Sequence, residues 1–401
     1  MIWRAAGLAA LLFAAPAFGQ DERPSGAPAS ANERPAAPVT LSVVYTADLR
    51  GNVRGGIATG TRYLDNVDLQ VSVDAERLVG WKGARLFVYG LYNNGTPFST
   101  ELVGDVQSVS NVETDVRALR LFEAWVEQDI GQRASLKFGL YNLNAEFDTT
   151  RSGGLFLLSS HGIGPDFSQS GRNGPSIFPV TSLALRGEVK FGSNWLARVA
   201  VLDGVPGDPE HPARTAIKLS GRDGALLVGE LEYLRGGTKL ALGGWGYTAR
   251  FEDVAALPGT ATGRGYKGGY IIAEHRFSGT RDDPPKGLSG WLRFGIADPR
   301  YNMIASYLGG GLVYAGPFRG RTEDEVGIAF ASANFSRRYR QFQIQAGNPT
   351  DRRELIVEAS YRAAIADWLS LQPDLQYVAN PGSDARRRDA VVLGLRVKIG
   401  K

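Results

Sequence analysis

The 401-residue sequence contains no cysteine and only three histidines, and both shortages restrict its chemistry. Without cysteine there is no disulfide framework, no thiolate nucleophile and no cysteine-ligated metal. His161, His211 and His275 lack metal-ligand spacing, and no HExxH, GxSxG or phosphate-loop motif occurs. The sequence therefore predicts no metal, no cofactor and no enzymatic activity.

Long apolar runs are also missing, because no stretch approaches the twenty or so residues of a transmembrane helix. Hydrophobic residues make up 43% of the chain, and its 51 glycines and many aromatic residues suit membrane-crossing strands better than helices. The net charge of +4 comes from acidic and basic residues mixed along the chain. This charge pattern predicts no nucleic-acid partner.

The N-terminus has the pattern of a secretory signal. One basic residue, Arg4, precedes a short apolar run, and Ala17 and Gly19 offer the small residues that precede a cleavage site. We therefore expect residues 1–19 to be a signal peptide. Residues 20–38 are rich in Pro and Ala and lack periodicity, which predicts a disordered periplasmic leader before a single barrel domain at residues 39–401.

The clearest strand pattern lies at residues 368–399. Polar residues separate the apolar ones in two stretches on either side of a turn: Leu369, Leu371, Leu375 and Tyr377, then Val391, Leu393, Leu395, Val397 and Ile399. A period of two indicates a β-strand with one apolar face. Strands of about ten residues, apolar outside and polar inside, are typical of a membrane barrel.

Similar patterns recur from residue 39 onward, and several are joined by short turns such as Gly236-Gly237. Gly263, Gly265 and Gly268 spell GxGxxG, but a strand pattern follows them where a dinucleotide site needs a helix. The longest interruption, residues 142–180, is predicted to be a functional loop. The predicted fold is all-β: a closed antiparallel transmembrane barrel of about sixteen strands with a long constriction loop.

Several segments resemble one known family. They are WLSLQPDLQYVANPG at residues 368–382 with Glu358 and Tyr361 before it, VVLGLR at 391–396, the paired strands at 121–148, and PSIFP at 175–179. Together they resemble the carbohydrate-selective porins of the Gram-negative outer membrane. The resemblance implies a sixteen-stranded channel for passive sugar diffusion, located in the outer membrane after signal-peptide cleavage. It also implies outer-membrane lipids and the barrel assembly machinery as partners, and it leaves open a homo-oligomer.

A sugar donates and accepts hydrogen bonds and stacks on rings, so its path needs charged, amide and aromatic side chains. Alternation predicts an inward wall set of Arg186, Glu188, Lys190, Arg198, Glu230, Glu232, Arg293, Glu358, Asp374, Gln376, Arg396 and Lys398. The long loop adds Phe147, Asp148, Arg151, Phe156, Phe167 and Arg172 if it folds inward. Arg151 and Arg172 are the preferred eyelet residues. The run at residues 155–158, LFLL, is expected to pack the loop against the wall, because four apolar side chains would dewet a sugar path.

Three other functions compete with a sugar porin. A barrel for phosphate or organic anions would use the lumenal Arg and Lys side chains, and reversal potentials would distinguish it. A membrane-embedded enzyme would need a nucleophile beside a histidine, which the sequence does not offer. A secreted soluble β-protein would leave a large apolar patch exposed.

Overall fold

The computed structural model describes residues 37–257, 259, 261–279 and 286–400. The predicted signal peptide, residues 1–19, and residues 20–36 of the predicted leader lie outside the described residues. In the described residues sixteen strands pair antiparallel with their neighbours, and the first, β1 (Val39–Gly56), pairs with the last, β18 (Arg388–Gly400), which closes the barrel. The predicted fold class is therefore confirmed.

The barrel strands are β1 Val39–Gly56, β2 Gly60–Asp74, β3 Ala84–Asn93, β4 Ala118–Ile130, β5 Ala134–Tyr141, β6 Ser182–Phe191, β7 Trp195–Asp203, β8 Ala225–Arg235, β9 Thr238–Tyr247, β12 Lys267–Arg276, β13 Gly287–Ala297, β14 Ile304–Ala315, β15 Glu325–Phe335, β16 Arg353–Ala366, β17 Leu369–Ala379 and β18 Arg388–Gly400. Two short strands, β10 Phe251–Glu252 and β11 Thr262–Gly263, pair with each other in the connection between β9 and β12. They take no part in the barrel wall.

Alternation along the strands sets which face of the wall each side chain occupies. On β18, Leu393 is 49% exposed on the outer face, whereas Arg396 is 5% exposed on the inner face. Leu375 of β17 lies opposite Leu393, so the outer face continues across strands with large apolar side chains. This is the arrangement that the sequence predicts for β17 and β18.

The two ends of the barrel differ. The end that holds Val39 and Gly400, here called the turn end, has mostly short connections, and the other end, the loop end, carries the long ones. At the turn end, Gly236 and Gly237 have φ of +61° and +84°, a left-handed conformation that glycine adopts without strain. The three helices are α1 Ala75–Val79, α2 Pro165–Ser168 and α3 Arg337–Gln345. None of the helices in the described residues is long and apolar enough to cross a membrane.

Two loop-end connections fold into the barrel, where the sequence predicts only one. We call them the first inner loop, residues 94–117 between β3 and β4, and the second inner loop, residues 142–181 between β5 and β6. Leu155, Phe156, Leu157 and Leu158 of the second loop are all buried, which confirms the packing role predicted for that run. Phe167 stacks on Trp245 with ring centroids 4.9 Å apart. The apolar core therefore lies between loop and inner wall.

Candidate functional site

Wall glutamates hold the second inner loop by its backbone. The amide of Asp148 donates to Glu230 (2.9 Å), and the amide and hydroxyl of Ser152 donate to Glu274 (2.7 and 2.6 Å). Glu358 accepts the amides of Leu157 and Leu158 at 2.6 and 3.1 Å. Carboxyl groups on three strands, β8, β12 and β16, therefore pin the loop across the lumen.

Arg293 of β13 forms the central ion-pair node of this loop. Its guanidinium donates to both oxygens of Asp148 (2.9 and 2.7 Å) and to both oxygens of Asp166, which is fully buried. A Cβ on the neighbouring Gly295 would lie 2.2 Å from atoms of Arg293 and Asp166, so glycine is needed for this close approach. One arginine therefore binds two separate parts of the loop to the wall.

A second charged cluster lies where the loop leaves β5. Glu146 accepts from Lys137 (2.6 Å) and from Arg186 (2.7 and 2.8 Å), and Arg186 also donates to Glu127 (2.7 Å). Burial alone would raise the pKa of Glu146, but the nearby Lys137 and Arg186 cations outweigh it and hold that pKa well below its usual range. The loop therefore starts from a fixed, charge-balanced base.

The first inner loop is held in the same manner by β16, β17 and β1. Glu354 of β16 accepts the amide of Val106 (3.0 and 3.2 Å), and Gln376 of β17 donates to the carbonyl of Val109 (2.9 Å). The hydroxyl of Ser110 donates to Asp48 of β1 at 2.6 Å. These contacts bring the loop against β16, β17 and β1.

Asp48 belongs to a buried network that spans the closure of the barrel. Arg396 of β18 donates to both of its oxygens (2.6 and 2.8 Å). Arg50 links Asp48 (3.2 Å) to Asp374 of β17 (3.1 Å). The four charges compensate one another, and their side chains have little or no exposure.

The two inner loops also bond to each other. The amide of Asn111 donates to Leu157 O (2.7 Å), and the amide of Ser159 donates to Ser108 O (3.0 Å). The side chains of Ser160 and Gln107 add a further contact at 3.0 Å. Together the loops form one partition, here called the septum, which is anchored to β1, to β2 through the Arg62–Glu101 ion pair (2.8 Å), and to strands from β5 to β17.

Strands β18, β2 and β3 carry a polar patch whose side chains make no hydrogen bond or ion pair to either loop in the described part of the chain. On β2, Asp68 is partly exposed and accepts from Tyr89 (2.6 Å) and Asn66 (2.8 Å) through one oxygen, Oδ1. Lys398 of β18 faces the same interior, since Thr46 lies in register with both Lys398 and Asn66. We call Asn66, Asp68, Tyr89 and Lys398 the wall patch.

Most of the predicted path residues were expected to be free side chains in the lumen, and the structure corrects this expectation. The predicted residues that are buried in contacts to a loop or to neighbouring strands are Phe147, Asp148, Arg186, Glu230, Arg293, Glu358, Asp374, Gln376 and Arg396. Arg198 is mostly covered and pairs with Glu188 and Glu232, both at 2.8 Å. The reason is that the septum occupies the space in which these side chains were expected to be exposed. An influence of these residues on sugar passage remains a prediction, and it would act through the position of the septum.

The two preferred eyelet arginines lie in different places. Arg172 is 42% exposed at the loop end and binds the connection between β7 and β8 through Asp223 (3.3 Å) and Arg222 O (3.3 Å). Arg151 is exposed, and its backbone amide is held by Glu274 at 3.1 Å. The structure therefore does not bring the two guanidinium groups together, and a role for either in the eyelet remains a prediction.

Sequence reasoning selected Lys398 of the wall patch but not the first inner loop, Asp48 or Arg50, nor the other patch residues Asn66, Asp68 and Tyr89. The alternation of β2 already placed Asp68 on the polar face, so this residue could have been found. The first inner loop has no such signal in the sequence, because the residues to which it hydrogen-bonds are far away along the chain. Among the described residues, no group of three or more His, Asp or Glu side chains is arranged to hold a metal ion.

Comparison with known proteins agrees with this architecture. A family model described as carbohydrate-selective porin, OprB family, matches residues 58–400. Porin B of Pseudomonas aeruginosa is 28% identical over 397 residues, covering 88% of this chain and 86% of the relative. The putative porin QuiX of Acinetobacter baylyi is 22% identical over 368 residues, covering 82% and 81%.

Two solved structures show the same fold. The high pH structure of Pseudomonas putida OprB has a TM-score of 0.80 at 22% identity and covers 91% of this chain and 94% of that chain. The outer membrane channel DcaP of Acinetobacter baumannii has a TM-score of 0.57 at 10% identity, covering 90% and 97%. Since the family model spans most of the sequence and the barrel has the matching fold, the chain belongs to the OprB family of carbohydrate-selective porins.

Proposed function

We propose that sugars diffuse passively through the passage between the septum and the wall patch. The chain is a carbohydrate channel of the Gram-negative outer membrane, as its family indicates. The observation that carries the proposed route is the lack of any hydrogen bond or ion pair between the wall patch and either loop in the part of the chain that the structure describes. Neighbouring wall residues do bind the loops, for example Arg62 of β2 to Glu101 (2.8 Å) and Asp48 of β1 to Ser110 (2.6 Å), so the patch is a stretch of inner wall that the loops leave unbound.

The wall patch has the chemistry that a sugar needs. Oδ1 of Asp68 is used by Tyr89 and Asn66, but its Oδ2 has no hydrogen-bond partner among the described residues. A free carboxylate oxygen accepts hydrogen bonds from vicinal hydroxyls, and a lysine ammonium donates to hydroxyl oxygens. Asp68 and Lys398 together offer both kinds of bond without a large net charge.

Charge compensation favours sugars over anions. Arg293, Arg396 and Arg186 each pair with two carboxylates or with both oxygens of one. Paired cations produce a weak field in the lumen, whereas an anion-selective pore needs uncompensated positive charge. We therefore do not favour phosphate or organic anions as the main substrates.

Single-channel recording with glucose tests the route. Asp68→Asn removes the acceptor charge while it keeps the size of the side chain, and Lys190→Met is a matched control on a 65% exposed side chain near the turn end. A hydrogen bond to an ionised group contributes about 1.5–3 kcal/mol, so glucose block should weaken roughly ten- to a hundredfold in Asp68→Asn. Unchanged block in Asp68→Asn would place the sugar path elsewhere.

Four further expectations are part of this proposal. Residues 1–19 direct export and are removed, and the leader at residues 20–38 then lies in the periplasm with the turn end. The barrel assembly machinery inserts the chain among outer-membrane lipids. A homo-oligomer stays open as a prediction. The fold and family indicate a channel, and we infer that it has no catalytic activity.

A further inference from the structure

The tip of the first inner loop buries a carboxylate without a partner. Asp105 is 8% exposed, and neither of its oxygens has a hydrogen-bond partner among the described residues. Burial of an ionised carboxylate is costly unless hydrogen bonds or a cation compensate it. The position of this loop docked against the wall is therefore compatible with a protonated Asp105, whereas an ionised Asp105 opposes it.

The hydroxyl of Ser99, a side-chain donor close to Asp105, is already committed to another group. Glu113 of the same loop accepts the amides of Phe98 and Ser99, both at 2.7 Å, and the hydroxyl proton of Ser99 at 2.8 Å. Because that hydroxyl donates to Glu113, it has no second proton for Asp105. Glu113 thus adds a negative charge beside Asp105 and takes a donor away from it.

Two charged side chains of neighbouring elements lie near the loop tip, and the cation among them, Arg387, is already bound to other groups. Glu354 of β16 accepts from the amides of Val106 and Gly382 and from Gln107, so its carboxyl group also faces this region. Arg387, in the connection before β18, donates to Gly104 O (2.8 Å) and Pro381 O (3.2 Å) and pairs with Asp384 (3.7 Å). Three carboxyl groups therefore meet where one loop docks on β16.

We propose that Asp105 is a proton-operated latch: its protonated form keeps the first inner loop docked, and its ionised form releases the loop from the wall. This inference rests on the proposed function, since the first inner loop is part of the septum. Release of the loop widens the passage and removes one side of the constriction.

The pH range follows from the surroundings of the group. Burial, and then the charge of Glu113, raise the pKa of Asp105 from 3.8 to about 7 in the docked loop. In a released, hydrated loop the ordinary value applies. Because the docked value is the higher one, docking is fully favoured below about pH 4 and is lost as the pH rises through about 7. The ratio of docked to released loop falls about tenfold for each pH unit within that range.

Cysteine labelling measures this release without reference to sugar. The chain has no cysteine, so Val103→Cys introduces a single reporter on the first inner loop at a fully buried position. The rate of modification by a water-soluble maleimide is compared for Val103→Cys and Val103→Cys/Asp105→Asn at each pH from 5 to 9. The ratio of the two rates cancels the intrinsic pH dependence of the thiol. Anomalous migration of unheated protein on a denaturing gel checks that each barrel is folded.

We expect the rate ratio to rise about tenfold per pH unit up to about pH 7 and then level off. A matched control, Val103→Cys/Glu210→Gln, changes an exposed acid and should follow Val103→Cys alone. Any of three results would overturn the latch. They are a rate ratio that stays constant with pH, rapid labelling of both proteins at every pH, and an effect of Glu210→Gln equal to that of Asp105→Asn. A rising ratio with no change in sugar flux would support the latch and contradict the role of this loop in the constriction.

Discussion

Arg293 gives the sharpest test of how the septum is held, because one side chain binds two parts of the second inner loop. It makes four hydrogen bonds to Asp148 and Asp166, and its guanidinium lies 5.3 Å from the ring centroids of both Tyr270 and Tyr307. Arg293→Leu keeps much of the apolar contact with the two rings but removes the charge. Two buried carboxylates then lose their only cation within this node.

The free-energy cost of Arg293→Leu opposes docking of the second inner loop and leaves the barrel wall intact. Removing one partner of a buried ion pair costs about 3–5 kcal/mol, since an unpaired charge remains in a poorly solvated place. At about 1.4 kcal/mol per tenfold, the released fraction of the loop should rise at least roughly a hundredfold. The strand pairs of β12, β13 and β14 do not depend on this side chain, so the barrel should still form.

Conductance and proteolysis report this release together. Arg293→Leu should conduct more ions than the unmodified channel and should be cut within residues 142–181 by an external protease, while unheated protein still migrates as a folded barrel. Arg300→Leu is the matched control, because Arg300 pairs with Asp298 at a 53% exposed surface position where such pairs contribute about 0–1 kcal/mol. The triple variant Arg293→Leu/Asp148→Asn/Asp166→Asn removes the stranded charges and should recover part of the closure. Equal conductance and equal protease resistance in Arg293→Leu and Arg300→Leu would refute the reasoning.

Three further predictions follow from the faces of the wall, the eyelet arginines and the N-terminus. Leu393→Arg places a charge on the lipid-facing side and should cost about 2–4 kcal/mol near the bilayer centre. A folding titration in lipid measures this against Lys398→Arg, which keeps a charge at a partly exposed position on the inner face, and normal stability of Leu393→Arg would invert the assigned faces. Arg172→Ala should leave glucose block unchanged, because Arg172 is bound to Asp223 at the loop end, whereas Arg151→Ala should raise conductance and weaken glucose block. Single-channel recording measures both effects, and weaker block in Arg172→Ala with unchanged block in Arg151→Ala would return Arg172 to the eyelet. Mass spectrometry of purified protein should give a mature chain that begins at Gln20, and a retained N-terminus would contradict the predicted cleavage.

The strands could be predicted because their signal is local. Each residue of β17 and β18 alternates between lipid and interior, so a period of two in the sequence is sufficient to identify the strand and its apolar face. Leu393 and Arg396 accordingly lie on the expected sides. The alternation does not mark strand ends, which depend on turn geometry: β14 ends at Ala315 because Gly316 begins the turn with a positive φ.

The septum could not be predicted because its contacts are remote in the chain. Glu230 and Asp148 are 82 residues apart, and Arg396 and Asp48 are 348 residues apart. Neither pair has a period or a motif that links its members. The same alternation that correctly placed Glu230 and Arg396 inside therefore gave no sign that a loop covers them. Residues 94–117 were overlooked for the same reason, since apolar loop residues such as Phe98 and Leu102 become core only when the barrel closes around them.

Liposome swelling tests the central claim most directly, because it measures the entry of neutral sugars. Proteoliposomes that contain the channel should swell in isotonic glucose much faster than protein-free liposomes, and the rate should fall as the sugar becomes larger. Asp68→Asn should change the dependence on sugar identity, while Lys190→Met should not. The account would be contradicted by proteoliposomes that do not swell in any sugar while a salt gradient gives a strongly anion-selective reversal potential.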